Sequence, residues 1–351
     1  MRKLILFVAA ATLLFACSEG NNTITPEEFQ TREHGLFIAN EGNYMAGNAS
    51  LSYYDPATKQ IENEVFLRAN GHLLGDTAQS MTLYDGKLWI CSNNSGVIFA
   101  IDPATFKEVG RIVLPGPRYI HFESNTKAYV TQLWDNRIAI VNPSTYTVTD
   151  YIETEMASAD ASTEQMVKWD KFLFVNCWSY QKSILKIDTT TDEVVETLEV
   201  GIQPETILLD KNGKLWTMTD GGGWDGNPIG YEAPAIVRID PESFTVEARF
   251  EMTKGEFPTE LQLNKAGDTL YWLNGGVWRM SIEASTLPTT ALLNSGFTST
   301  YGLTLDPSSE DIYVSDAIDY QQNGMVFRYS VAGEAIDSFG VGICPSAFCW
   351  K

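Results

Sequence analysis

Apolar and polar positions alternate with a period of two in short runs along the chain, as in Lys87-Leu88-Trp89-Ile90-Cys91 and Asp311-Ile312-Tyr313-Val314-Ser315. Turn pairs such as Asp85-Gly86 and Asn212-Gly213 bound such runs, so the pattern predicts antiparallel hairpins. The hairpins repeat as a unit: an apolar run ends in Asp-Pro or a close variant, a Thr-containing turn follows, and a Val- or Ile-bearing run comes next. The anchors are Asp55-Pro56, Asp102-Pro103, Asn142-Pro143, Asp188-Thr189 and Asp240-Pro241, with degenerate versions near Ser281 and Ser330. Their separations of 47, 40, 46, 52, 41 and 49 residues match a four-stranded propeller blade. A solenoid of helix pairs can share that period, but period-two alternation excludes it.

A second register supports the count. Phe37, Trp89, Tyr129, Leu173, Trp216, Tyr271 and Tyr313 take one position of the second strand in seven units, and six of the seven are aromatic. Pro117, Pro204, Pro258 and Pro345 share a site at the entry of first strands, where proline is tolerated. The N-terminal unit has three strands and lacks a first one, whereas residues 342–350 read as a first strand with no unit after it. Pairing the two predicts an all-β fold: a seven-bladed β-propeller of four-stranded blades, closed by the C-terminal strand completing the first blade. The propeller is expected over residues 34–351, with insertions at residues 220–234 and 316–323.

Upstream, Arg2 and Lys3 precede an apolar stretch over residues 4–16, too short to span a bilayer but suited to a signal-peptide core. It ends at Leu14-Phe15-Ala16-Cys17, which resembles a bacterial lipobox, so residues 1–16 read as a lipoprotein signal peptide and Cys17 as the lipidated residue. Residues 17–33 are then a lipid-anchored tether, with Ser18-Glu19 resembling a surface-export signal. The expected place is the outer face of an outer membrane. The remaining Cys91, Cys177, Cys344 and Cys349 form no Cys-x-x-Cys pair and read as buried thiols.

Composition narrows the function. With 44% hydrophobic and 20% charged residues the 351-residue chain is a folded protein, and its formal charge of −21 argues against a nucleic-acid partner. No Gly-x-Ser-x-Gly, His-Glu-x-x-His, Walker or Gly-x-Gly-x-x-Gly motif is present, which removes the common motif-bearing enzymes. Only His34, His72 and His121 could serve as histidine ligands; His121 reads as a packed strand residue, and His72 in an interblade connection reads as solvated or as an axial ligand. The loop Asp220-Gly221-Gly222-Gly223-Trp224-Asp225-Gly226-Asn227 offers carboxylates that could hold calcium, or is a plain loop presenting Trp224, and it lacks the EF-hand spacing.

In a propeller, the second-to-third-strand loops and the interblade connections share one face. Tyr44, Asn93, Trp134, Trp178, Tyr180, Trp224 and Tyr320 fall in those loops, as Trp278 is expected to. Several rings on one face mark a binding surface. The residue after the aligned strand-entry site reads Gln79, Arg118, Glu164, Glu205, Thr259, Tyr301 and Ser346 around the ring, and none is aliphatic. A polar mouth with an aromatic rim suits a large ligand with an apolar body and peripheral amides.

The opening Gly35-Leu36-Phe37-Ile38-Ala39-Asn40-Glu41-Gly42-Asn43, followed by Asn48-Ala49-Ser50-Leu51-Ser52-Tyr53-Tyr54-Asp55, resembles the YncE-like seven-bladed propeller lipoproteins encoded beside TonB-dependent receptors. Within that group the chain is most similar to the BtuG family of cobalamin-capture lipoproteins. The resemblance implies a non-enzymatic protein that binds a corrinoid, vitamin B12, and passes it to a BtuB-like TonB-dependent outer-membrane transporter, with no required cofactor. Two other readings stay open. One is a propeller that binds a glycan, haem or peptide; the other is a propeller lactonase or lyase with a metal between carboxylates such as Glu164 and Glu205.

Overall fold

A computed structural model describes residues 26–29, 31–156, 162–294 and 296–351. The signal peptide, Cys17 and most of the tether lie outside the described residues. The strands form seven separate antiparallel sheets that follow one another along the chain as propeller blades. Blade 1 is closed by the last strand: Pro345–Trp350 pairs antiparallel with Leu36–Asn40, with Phe37 opposite Cys349. Trp350 clamps that closure, donating from Nε1 to Thr304 Oγ1 at 3.2 Å and meeting the Tyr313 ring edge-on at 5.2 Å.

Blades 1 to 5 and blade 7 have four strands, while blade 6 has three, Thr259–Leu263, Thr269–Leu273 and Val277–Ser281. Among the described residues its outer strand is reduced to a single bridge, in which Val277 N–H donates to Leu293 O and Leu292 N–H donates to Val277 O, each at 2.8 Å. The short helix Val65–Asn70 connects blade 1 to blade 2 and is a second departure from the all-strand expectation.

The repeated Asp-Pro anchor has a local cause. Its carboxylate or amide oxygen accepts backbone N–H groups two or three residues on: Asp55 from Ala57, Asp102 from Ala104, Asn142 from Ser144, Asp188 from Thr190 and Asp240 from Ser243. Four residues past each anchor the chain turns through left-handed backbone, at Lys59, Phe106, Tyr146, Asp192 and Phe244. These Asx turns fix the third-to-fourth-strand hairpins.

Seven apolar clusters fill the gaps between neighbouring blades. The second-strand register supplies their largest side chains, with one correction. In blade 4 it is Phe174 that pairs Val167 and Lys186, as Trp216 pairs Leu208 and Arg238 in blade 5. Leu173 is one position off, so the register is aromatic in all seven blades. Third-strand cations cap three of these rings, Lys186 over Phe174 at 5.9 Å, Arg238 over Trp216 at 5.6 Å and Arg328 over Tyr313 at 5.5 Å.

Part of the tether is seated on the propeller. Glu27 N–H donates to Arg68 O at 2.8 Å, Thr31 N–H donates to Ala104 O at 3.1 Å, and Phe29 meets Phe106 edge-on at 5.1 Å. Arg32 pairs with Asp55 at 3.1 Å. Asp55 and Ala104 belong to third-to-fourth-strand turns, which lie opposite the second-to-third loops.

Candidate functional site

Every first strand carries a β-bulge near its entry, with register shifts between Ala78 and Ser80, Pro117 and Ile120, Thr163 and Met166, Pro204 and Thr206, Thr259 and Gln262, and Thr300 and Leu303, and opposite the closing strand at Ala39 and Asn40. In a regular strand consecutive side chains point to opposite faces. A bulge re-aims one of them, and here neighbours such as Arg118 and Tyr119, Glu164 and Gln165, or Thr259 and Glu260 both line the same axial cavity.

That cavity has a volume of about 1050 Å³. All seven aligned residues, Gln79, Arg118, Glu164, Glu205, Thr259, Tyr301 and Ser346, line it, together with Asn93 and the loop aromatics Tyr44, Trp134, Trp178, Tyr180, Trp224 and Tyr320. Four of those rings are largely in solvent: Tyr44 is 72% exposed, Trp134 59%, Trp224 54% and Tyr320 47%. Trp134, Tyr180 and Tyr320 hold positive φ angles of 63°, 55° and 61°. Bulky side chains rarely adopt that backbone, which here serves the loop turns at the rim as it serves the third-to-fourth-strand turns at Phe106, Tyr146 and Phe244.

Two sequence expectations place elsewhere. His72 is not on the cavity: its Nε2 lies 3.3 Å from Glu108 and its ring meets Phe66 edge-on at 5.1 Å, on the outer flank between blades 1 and 2. The interblade helix carries it there. Trp278 lies within the third strand of blade 6, stacked on Trp272 at 6.3 Å, because that blade's loop is only residues 274–276. Conversely, the cavity includes residues not singled out from sequence, among them Glu41, Phe257 and Glu260, and it takes in Asp220 of the glycine-rich loop. Phe257 directly precedes the aligned Pro258, an aromatic in an interblade connection of the kind that marks the rim elsewhere.

The electrostatics of the floor are acidic. Arg118 donates from Nε to Glu164 Oε1 at 2.8 Å and from Nη1 to Gln79 Oε1 at 2.5 Å, and its guanidinium stands 5.5 Å over the Trp178 ring. Tyr301 donates to Glu41 Oε2 at 2.6 Å. Burial raises the carboxyls of Glu41 and Glu164, against the pull of their partners. Burial also raises Glu205 well above the usual carboxylate range, reinforced by Asp220, Glu164 and Glu260, and lifts Glu260 to about 8 with help from Glu41.

The glycine-rich loop is organised from within. Asp220 accepts from Gly222 N–H at 2.6 Å, Gln203 Nε2 at 2.8 Å and Trp178 Nε1 at 3.2 Å, while Asn227 donates to Gln203 Oε1 at 2.8 Å and Gly222 O at 2.9 Å. Asp225 points to solvent near Lys254. These bonds occupy both oxygens of Asp220, and among the described residues no group of three or more His, Cys, Asp or Glu stands close enough to hold a metal ion. Cys91, Cys177, Cys344 and Cys349 are free thiols, the first three buried.

A family described as a domain of unknown function, DUF5074, matches residues 34–342. The chain belongs to this DUF5074 family. Among solved structures it is similar to a Lactobacillus plantarum protein (TM-score 0.68, 13% identity, 91% of this chain and 100% of that one). It is similar to the Pseudomonas aeruginosa periplasmic gluconolactonase PpgL (TM-score 0.66, 10% identity, 90% and 99%). A third is a quinonprotein alcohol dehydrogenase-like protein of Bacteroides thetaiotaomicron (TM-score 0.66, 14% identity, 91% and 78%). At these identities the likeness shows the fold alone. No curated protein matches. Among the described residues no helix is long and apolar enough to cross a membrane.

Proposed function

We propose that this DUF5074 propeller is a cell-surface lipoprotein that captures a corrinoid non-covalently in its axial cavity and hands it to a TonB-dependent outer-membrane transporter. The observation that carries the reading is the convergence of side chains from all seven blades on one cavity of about 1050 Å³ with an aromatic rim. That volume exceeds the usual range for drug-sized ligands, so it suits a larger body. A corrin ring offers an apolar disc for the rim aromatics and peripheral amides for the polar floor. Closure by the last strand makes the face rigid, so less ordering entropy opposes binding. A lipid on Cys17 would keep the domain near its receptor and raise its effective concentration there. The test is calorimetric titration of the mature protein with cyanocobalamin, repeated with Trp134, Trp178 and Trp224 together changed to Ala. Nanomolar or tighter binding that collapses in the triple variant supports the reading, and absence of heat with cyanocobalamin or cobinamide overturns it.

One observation favours a second reading, a lactone hydrolase. Glu260 lines the axial cavity, and burial with Glu41 beside it lifts its carboxyl to about 8, a range useful to a general acid or base at neutral pH. Hydrolysis of glucono-1,5-lactone that Glu260→Gln abolishes would establish it.

A further inference from the structure

The charge balance of the cavity goes a step beyond its size. Among the described residues five acidic side chains line it, Glu41, Glu164, Glu205, Asp220 and Glu260, against one cationic side chain, Arg118. Arg118 is already committed to Glu164 and Gln79. Asp220 and Glu41 are likewise engaged by Trp178, Gln203 and Tyr301. Glu205 differs: it lines the channel wall near Asp220, Glu164 and Glu260, and among the described residues no protein donor meets its carboxyl. The rim reinforces this polarity, because the faces of Trp and Tyr rings carry negative quadrupole charge.

We propose that the cavity floor selects its ligand by charge, accepting inserted groups that donate hydrogen bonds and carry no negative charge, and turning away carboxylates and phosphates. In the corrinoid reading, on which this rests for its natural ligand, the inserted groups are the primary amides of the corrin side chains, with Glu205 accepting from one of them. A carboxylate in place of that amide exchanges a donor for an acceptor and brings a negative charge to a floor whose acidic groups already resist ionisation, so the incoming carboxylate or a floor carboxyl must take up a proton for it to bind.

The experiment compares cyanocobalamin with its three propionic monocarboxylic acids, each with one side-chain amide hydrolysed, by calorimetry at pH 7.5 on the mature protein. At least one monoacid is expected to bind tenfold or more weakly, and Glu205→Gln is expected to narrow that gap by threefold or more. Equal affinities for the amide and all three acids overturn the proposal, as does a gap that Glu205→Gln leaves unchanged. A second arm does not depend on corrinoids: quenching of tryptophan fluorescence by 1-pyrenylmethylammonium against 1-pyrenecarboxylate. The cation is expected to bind at least tenfold more tightly, and equal quenching, or none by either, overturns charge selection. Absence of corrinoid binding with a preserved pyrene preference would remove the functional reading and leave charge selection standing.

Discussion

Replacing Trp134 with Gly separates a ligand-binding role from a structural one, because the two predict opposite outcomes. The residue holds φ at 63° with its ring 59% exposed. A left-handed backbone costs a non-glycine residue roughly 1–2 kcal/mol. Glycine relieves that strain but loses about 0.5–1 kcal/mol more backbone entropy on folding. Little packing is lost from so exposed a ring, so the variant should be unchanged in stability or gain up to about 1 kcal/mol. A rim aromatic covered by ligand contributes about 2 kcal/mol when it is a hot spot, close to thirtyfold in Kd. Urea unfolding and cyanocobalamin calorimetry on the same preparation read both effects. A loss of stability above about 1.5 kcal/mol would show that the ring is structural, and unchanged affinity would show that the strain serves something other than this ligand.

Four further outcomes follow from the packing and the titrating groups. Trp216→Ala, in the buried aromatic register, should destabilise by about 3–5 kcal/mol in urea unfolding, and a loss below 1 kcal/mol would refute that register as core. Removing residues 345–351 bares the Leu36–Asn40 edge, and size-exclusion chromatography should show aggregation; a monodisperse monomer would mean the closing strand is dispensable. Glu260, raised from 4.5 to about 8, holds a proton in the folded state that the unfolded chain releases, so its contribution is full below pH 4.5 and is lost as pH rises through 8. Glu260→Gln should therefore flatten the fall in stability across that interval, and parallel wild-type and variant curves would contradict the shift. Cys91 and Cys177, buried with thiols pushed up to about 12, should resist a thiol reagent at pH 8 until the protein unfolds; rapid labelling of either would refute their burial.

The blade count and the ring of aligned cavity residues were legible because each repeats, and the closure because the first unit lacks the strand that the last segment supplies. An Asx anchor recurring five times, or an aromatic register recurring seven times, along a chain outweighs local ambiguity. What escaped depends on single residues. Phe174 was masked by Leu173 because both are apolar and adjacent, and only strand pairing separates them. Glu260 was missed because period-two alternation sends it away from the axis, while the bulge and its φ of 60° bring it back. His72 was misplaced because six residues of helix, too short to show a 3.6-residue period, carry the connection to the outer flank. The outer strand of blade 6 was expected from the repeat, and the chain over residues 282–294 keeps only the Val277–Leu293 bridge.

The recurring bulge gives the cavity an evolutionary property. Each blade delivers its contacts from the same backbone kink, and kink residues such as Ala78, Ile120, Leu261 and Leu303 are buried in the interblade cores that hold the backbone around the axis. A substitution at one such position changes one sector of the floor while its neighbours keep their places. Ligand preference can then drift blade by blade through single codon changes, without any loop being redesigned, and propellers of nearly superimposable backbone can diverge in cargo while a backbone comparison alone reports only their kinship.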